Sequence, residues 1–308
     1  MAHAAVKEGL RSVAAGLLTP FDDHLEVDHD ALRENARIVY DEGIRTFLAC
    51  ANISEYHSLS HEERIEVTAT SVETLPDDAT VLAGVGGATP TAIDLASKFD
   101  EIGVDAMMVM PPTHTYVHEH GLLDYYRKLG DATDAPLVPY VRGFDPSVEF
   151  LSNLTELDDV VGVKYALEDV PKFAEAVASS DDVVWVDGMA EPYALALWAE
   201  GAEGFTAGVS NFEPRIGLAL FDALKHGDWE RAREIRAVCL PFQNFRSGTG
   251  TGNTLPGAVS VPAVKHGMEL AGMTGGRVRE PIVELTEEEK EQVEALYRKV
   301  ESFETESV

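Results

Sequence analysis

Short, solidly apolar runs alternate along the chain with longer stretches in which apolar residues recur every three or four positions. The runs are Ser12–Leu18, Thr46–Ala51, Thr80–Val85, Ala106–Met110, Leu137–Val141, Val160–Lys164, Val183–Val186 and Gly204–Ala207. They are too short for helices, which predicts strands buried on both faces. The stretches between them are Asp28–Glu42, Ser60–Leu75, Pro90–Ile102, Gly121–Thr133, Ser147–Leu154, Val170–Ser179, Pro192–Trp198 and Pro214–His226. Their periodicity predicts amphipathic helices. Strand–helix alternation implies right-handed βαβ units and a parallel sheet. Eight such units within residues 1–226 predict a (β/α)8 TIM barrel rather than an open doubly wound sheet. An open dinucleotide-binding sheet needs a glycine fingerprint, and Gly84-Val85-Gly86-Gly87 has neither its spacing nor its acidic ribose ligand.

Beyond His226 the pattern is helical over Asp228–Val238, Ser260–Leu270 and Thr286–Ser302. Residues 227–308 therefore read as a helical layer appended to the barrel, docked on its side or on a neighbouring subunit. The glycine-rich turn Arg246-Ser247-Gly248-Thr249-Gly250-Thr251-Gly252-Asn253 follows no strand and has no Walker lysine, so it does not read as a phosphate loop.

Charge narrows the partners. With 54 acidic against 24 basic residues and a formal net charge of -30, nucleic acid and anionic membranes are excluded as partners. The acids are spread among ordinary apolar segments rather than gathered in a disordered tail. A carboxylate-covered, lysine-poor surface suits a potassium-rich cytosol, where salt screens self-repulsion, and points to a halophilic source. No apolar run approaches the length of a membrane span. The stretch Met1–Glu8 lacks the basic start and apolar core of a signal peptide. Cys50 and Cys239 can form neither a disulfide framework nor a spaced metal site. A cytoplasmic location is expected.

In a barrel of this kind the C-terminal ends of the strands build the active site. Lys164 ends one of them, in Val160-Val161-Gly162-Val163-Lys164. Desolvation there disfavours the ammonium, and a neutral amine can attack a carbonyl to form a Schiff base. A lysine reaching past the strand end to water is the alternative reading. Tyr140 and Arg142 end the preceding strand, so a lysine, a tyrosine and an arginine converge on one mouth, as a 2-oxo-acid site requires.

These residues carry a likeness that covers nearly the whole chain. Leu18-Thr19-Pro20-Phe21, Ser54-Glu55-Tyr56-His57-Ser58-Leu59, Met110-Pro111-Pro112, Tyr140, Gly162-Val163-Lys164, Gly204-Phe205-Thr206 and Gly275-Gly276-Arg277-Val278-Arg279-Glu280-Pro281 stand in order and in register. Together they resemble the dihydrodipicolinate synthase / N-acetylneuraminate lyase superfamily of Schiff-base (β/α)8 enzymes. Tyr140-Val141-Arg142 and Glu55-Tyr56-His57-Ser58-Leu59 are most similar to its sugar-acid dehydratase branch.

The resemblance implies a cofactor-free, metal-free class I lyase, assembled as a homo-oligomer, with a tetramer built as a dimer of dimers. It assigns Lys164 as the Schiff-base lysine and Tyr140 as the proton shuttle. Asn52, Ile53, Ser54, Arg142 and Thr206 are the expected substrate contacts, with His114, His57 and Glu55 as further candidates. Asn52, Ile53 and Ser54 replace the two hydroxyl residues and the glycine of the synthases, and His114 stands nearest their second relay tyrosine. Dihydrodipicolinate synthesis is therefore not expected. His114, His118 and His120 form no regular element and do not read as a metal site. The expected reaction is dehydration of a 2-keto-3-deoxy sugar acid. The alternatives are aldol cleavage of the same substrate and, more remotely, non-catalytic binding of an oxo acid by a regulator.

Overall fold

Side chains able to cap a helix stand at most of the predicted helix starts, and they cap there: Asp28, Ser60, Ser147, Asp169, Asp228 and Thr286 each accept a backbone N–H of the first turn. The computed structural model describes residues 2–111, 113–180 and 182–305, so Pro112 of the expected Pro-Pro pair lies outside the described residues. In chain order the elements are α1 (Ala2–Leu10), β1 (Val13–Gly16), α2 (His29–Asp41), β2 (Thr46–Ala49), α3 (His61–Thr74), β3 (Thr80–Val85), α4 (Thr89–Ile102), β4 (Ala106–Val109) and α5 (Glu119–Gly130). There follow β5 (Leu137–Val141), α6 (Val148–Thr155), β6 (Gly162–Tyr165), α7 (Val170–Ala178), β7 (Val184–Asp187), α8 (Ala194–Ala199), β8 (Gly204–Thr206) and α9 (Pro214–Lys225). The remaining helices are α10 (Trp229–Arg246), α11 (Ser260–Leu270) and α12 (Glu287–Glu301).

The strands pair in parallel in sequence order, and β8 closes on β1. This is the expected (β/α)8 barrel. Strand alternation divides the core in two. Val138, Tyr140, Val184 and Val186 belong to a cluster that also takes in β1, β2 and the C-terminal helices. Val141, Val163, Tyr165 and Trp185 face the other way, among Phe150 and Phe173 of the surrounding helices.

Three differences from the expected elements have physical reasons. The first helix, α1, is absent from the periodic reading because only Val6 and Leu10, one turn apart, mark its buried face. It lies across the barrel floor: a Cβ added to Gly162 would meet Leu10 Cδ1 at 2.6 Å, and one added to Gly204 would meet the Leu10 carbonyl at 2.1 Å. Next, β6 runs one residue past Lys164, because the Tyr165 ring packs on Phe173 and its hydroxyl donates to the Asp169 carbonyl at 2.8 Å. Lastly, α10 continues through Pro241 to Arg246 instead of stopping at Val238. Phe242, fully buried against Phe212, holds the helix together beyond the proline.

The C-terminal helices share the barrel's apolar cluster through Ala232, Ile235, Cys239, Val264, Val293 and Val300. Among the described residues no helix is long and apolar enough to cross a membrane.

Candidate active site

The mouth formed by the strand ends opens into a cavity of about 500 Å³, a volume typical of small-molecule sites. Its wall includes Asn52, Ile53, Tyr140, Arg142, Lys164 and Thr206, six of the residues singled out in the sequence.

Register sets the central pair. Tyr140 on β5 and Lys164 on β6 are direct cross-strand partners, and both side chains point into the barrel. The Lys164 nitrogen sits 4.1 Å from the centre of the Tyr140 ring. Lys164 is only 8% exposed and Tyr140 3%. Burial pushes the Lys164 amine below the ordinary lysine value, and the nearby Arg142 charge pushes it the same way, while Tyr140 and Asp187 oppose. For Tyr140, burial favours the protonated phenol. Lys164 and Arg142, with hydrogen bonds from Arg142 and Asn52, outweigh it and hold the phenol below its usual value. Arg142 Nη1 donates to the Tyr140 hydroxyl at 3.4 Å. Gly188 gives the lysine its room, since a Cβ there would stand 3.1 Å from Lys164 Cγ.

The loop after β2 supplies a second feature. Cys50 and Glu55 both take left-handed backbone conformations, φ 51° and 60°, which fold the segment between them into a tight turn. Within it the N–H groups of Ser54, Glu55 and Tyr56 donate to the carbonyls of Ala51 and Asn52. Among the described residues no acceptor meets the Asn52 or Ile53 N–H. Both residues border the cavity, so the turn can offer two amides to an anion. Ile53 is seated over Gly16, where an added Cβ would meet Ile53 Cγ2 at 2.4 Å.

Four expected site residues are not part of the cavity wall. Ser54 is fully buried beneath the turn, where its Oγ accepts the Ala51 N–H at 3.0 Å and its carbonyl accepts the Thr19 hydroxyl. Glu55 is buried in an ion pair with Lys265. His57 is exposed and packs edge-on against Tyr56. His114 is exposed too, and its Nδ1 accepts the Tyr116 N–H. His118 likewise caps α5 through its own ring nitrogen, accepting the His120 N–H.

Conversely, the wall contains Glu168, Gln243, Arg246 and Ser260, none of which stood out in the sequence. Glu168 lies one turn of chain past Lys164. The other three come from α10 and α11, elements with no strand end to mark them.

A family model described as "Dihydrodipicolinate synthetase family" matches residues 9–300. A Bacillus subtilis protein named "probable 5-dehydro-4-deoxyglucarate dehydratase" is 29% identical, over 94% of this chain and 95% of its own length. A 4-hydroxy-tetrahydrodipicolinate synthase from Methanopyrus kandleri is 30% identical, over 92% and 93%. The crystal structure of a dihydrodipicolinate synthase from Bacillus clausii superposes with a TM-score of 0.90 at 33% identity, covering 95% of this chain and 98% of that one.

Proposed function

The chain belongs to the dihydrodipicolinate synthetase family, and from that premise we propose that it is a lysine-dependent lyase that dehydrates a 2-keto-3-deoxy sugar acid. The observation that carries this reading is the buried Lys164 amine, lowered in basicity and set over Tyr140, beside a turn with two unpaired amides.

In this reading the substrate carboxylate lies on the Asn52 and Ile53 amides, which presents C2 to Lys164. The amine attacks, water leaves, and an iminium forms that acidifies the C3–H bond. Loss of that proton gives the enamine. The C4 hydroxyl then departs as water, taking a proton from Tyr140. Arg142 keeps the phenol oriented and ready to release its proton. Isomerisation and hydrolysis free Lys164 and release a semialdehyde; from a 2-keto-3-deoxypentonate this is 2,5-dioxopentanoate.

The printed name of the Bacillus subtilis relative supports the dehydration half of this proposal. The synthase reaction is less well supported, because Asn52 and Ile53 stand where the resemblance places hydroxyl residues. The test is a proton NMR time course in molar KCl with 2-keto-3-deoxypentonate and 2-keto-3-deoxygluconate. A semialdehyde without pyruvate is expected. Pyruvate with an aldehyde makes the enzyme an aldolase, through deprotonation of the C4 hydroxyl and cleavage of C3–C4. No turnover, together with no borohydride adduct on pyruvate, leaves the oxo-acid-binding regulator. A homo-oligomer, as a dimer of dimers, belongs to the same proposal and is checked by light scattering across the salt range.

A further inference from the structure

The chemistry above uses one end of the substrate, but the cavity wall holds a second arginine with no role in it. Arg246 is the last residue of α10. Its Nη1 donates to Gln243 Oε1 at 2.9 Å, its Nη2 to Ser260 Oγ at 3.1 Å, and its Nε to the Ser260 carbonyl at 3.4 Å. All three acceptors are neutral, and among the described residues no carboxylate oxygen pairs with the guanidinium. Glu191, the nearest acid in this network, is reached only through the Gln243 amide. Burial moreover raises Glu191 above the ordinary carboxylate range. In a chain with more than twice as many acids as bases, an arginine kept from every acid is held for something else.

The backbone has been cleared for it. A Cβ at Gly208, just beyond β8, would stand 1.9 Å from Arg246 Nη1, so the guanidinium lies flush on a glycine that also borders the cavity. Three of its five N–H groups are used internally, which leaves one on each terminal nitrogen for a two-point contact. Desolvation lowers its pKa only to about 10, so it stays charged at neutral pH. Arg142, at the rim, has no acid either: Asp145, the loop carboxylate nearest it in sequence, is bonded to Lys172.

We propose that Arg246 is a specificity residue that binds a second carboxylate at the far end of the substrate, so that the preferred substrate is a 2-oxo acid with carboxylates at both ends. This rests on the Schiff-base reading of the same cavity. One carboxylate lies on the amides of the β2 loop, the carbonyl meets Lys164, and the chain reaches across the mouth to Arg246.

The test compares borohydride trapping on the full-length enzyme with two oxo acids of equal skeleton length, 2-oxoadipate and 2-oxohexanoate. It is run at the lowest KCl concentration that keeps the fold, since salt screens the contact being measured. Half-saturation is expected at a concentration about 10–100-fold lower for 2-oxoadipate, the size of one charged hydrogen-bonded contact. Arg246→Leu should bring the two acids together, and Arg246→Lys should keep part of the difference because it retains the charge without the fork. Should Arg246→Leu fail to fold, Gly208→Ala displaces the guanidinium and should also shrink the ratio. Equal half-saturation in the unmodified enzyme, or a preference that survives these substitutions, overturns the assignment of Arg246. Absence of any adduct, with pyruvate as well, defeats the Schiff-base reading and this inference with it. An adduct with pyruvate but no advantage for 2-oxoadipate defeats this inference alone.

Discussion

Glu55 and Lys265 form an ion pair 2.6 Å long in which neither side chain is more than 2% exposed. Its approach angle lies outside hydrogen-bond geometry, so the contact is chiefly one of charge. Glu55 also accepts the Arg279 N–H, and the Lys265 amine donates to the Arg277 carbonyl. The pair therefore fastens the turn that carries Asn52 and Ile53 to α11 and to the segment after it. Arg279 strengthens the joint with a two-point contact to Glu63 on α3.

Glu55→Gln should cost about 3–5 kcal/mol at neutral pH, because it strands a buried ammonium. Burial already lowers the pKa of Lys265, and Glu55 opposes that shift. Without Glu55 the folded value falls further below the unfolded one, so the unfolded chain binds the extra proton and stability rises with pH across that window. Denaturant midpoints should show the gap between variant and parent narrowing from pH 7 to pH 9.5. A gap that stays constant counts against a charged Lys265.

Lys164→Ala should lose more than about 10³-fold in turnover, together with all borohydride adduct, while its circular dichroism stays unchanged. The attacking amine must be neutral, and burial lowers its pKa. In the parent enzyme kcat/KM should therefore rise with pH along a limb centred below the ordinary lysine value of about 10.4. Turnover retained in the alanine variant would sink the imine mechanism.

Tyr140→Phe keeps the ring over the lysine and removes only the proton carrier. A loss of about 10²–10⁴-fold in kcat is expected, with the pyruvate adduct still formed. Loss of the adduct along with turnover would mean that the hydroxyl is needed to make the imine itself.

Asp187 gives a pH signature of stability. It is 1% exposed; Oδ1 accepts the Met189 N–H at 2.6 Å and Oδ2 has no partner. Burial raises its pKa well above the ordinary value, the Met189 N–H opposes this, and Glu191 adds to the rise. The folded state thus keeps a proton that the unfolded chain gives up, and stability falls as pH climbs from about 4 through the folded value. Asp187→Asn should flatten that decline in melting temperature. Parallel curves for variant and parent would show that Asp187 is ionised in the folded protein.

The barrel was legible because each strand is a dense apolar run and its end is where a polar residue first becomes tolerable, as at Lys164 and Tyr140. Direction within a tight turn was not legible. Ser54 and Glu55 sit next to Ile53 in sequence, yet the left-handed residues Cys50 and Glu55 wind the turn so that Ile53 faces the cavity and Ser54 its underside. His57 and His114 have donor chemistry but lie on surfaces turned to solvent. Arg246 was hidden by Pro241, which reads as a helix end, and by the glycine-rich turn that follows it. Its one local signal is Gly208, required by a contact that no spacing along the chain reveals.

The wall of the cavity is inherited in two parts. The imine-forming lysine and its tyrosine come from adjacent barrel strands, whereas Gln243, Arg246 and Ser260 come from helices added after the eighth unit. Reaction and recognition thus sit on separate stretches of one gene product. Mutation or recombination within residues 227–305 can change which acids are accepted without touching Lys164 or Tyr140. For an engineer the same partition makes α10 and α11 the place to randomise for new substrates, with the catalytic strands left as they are.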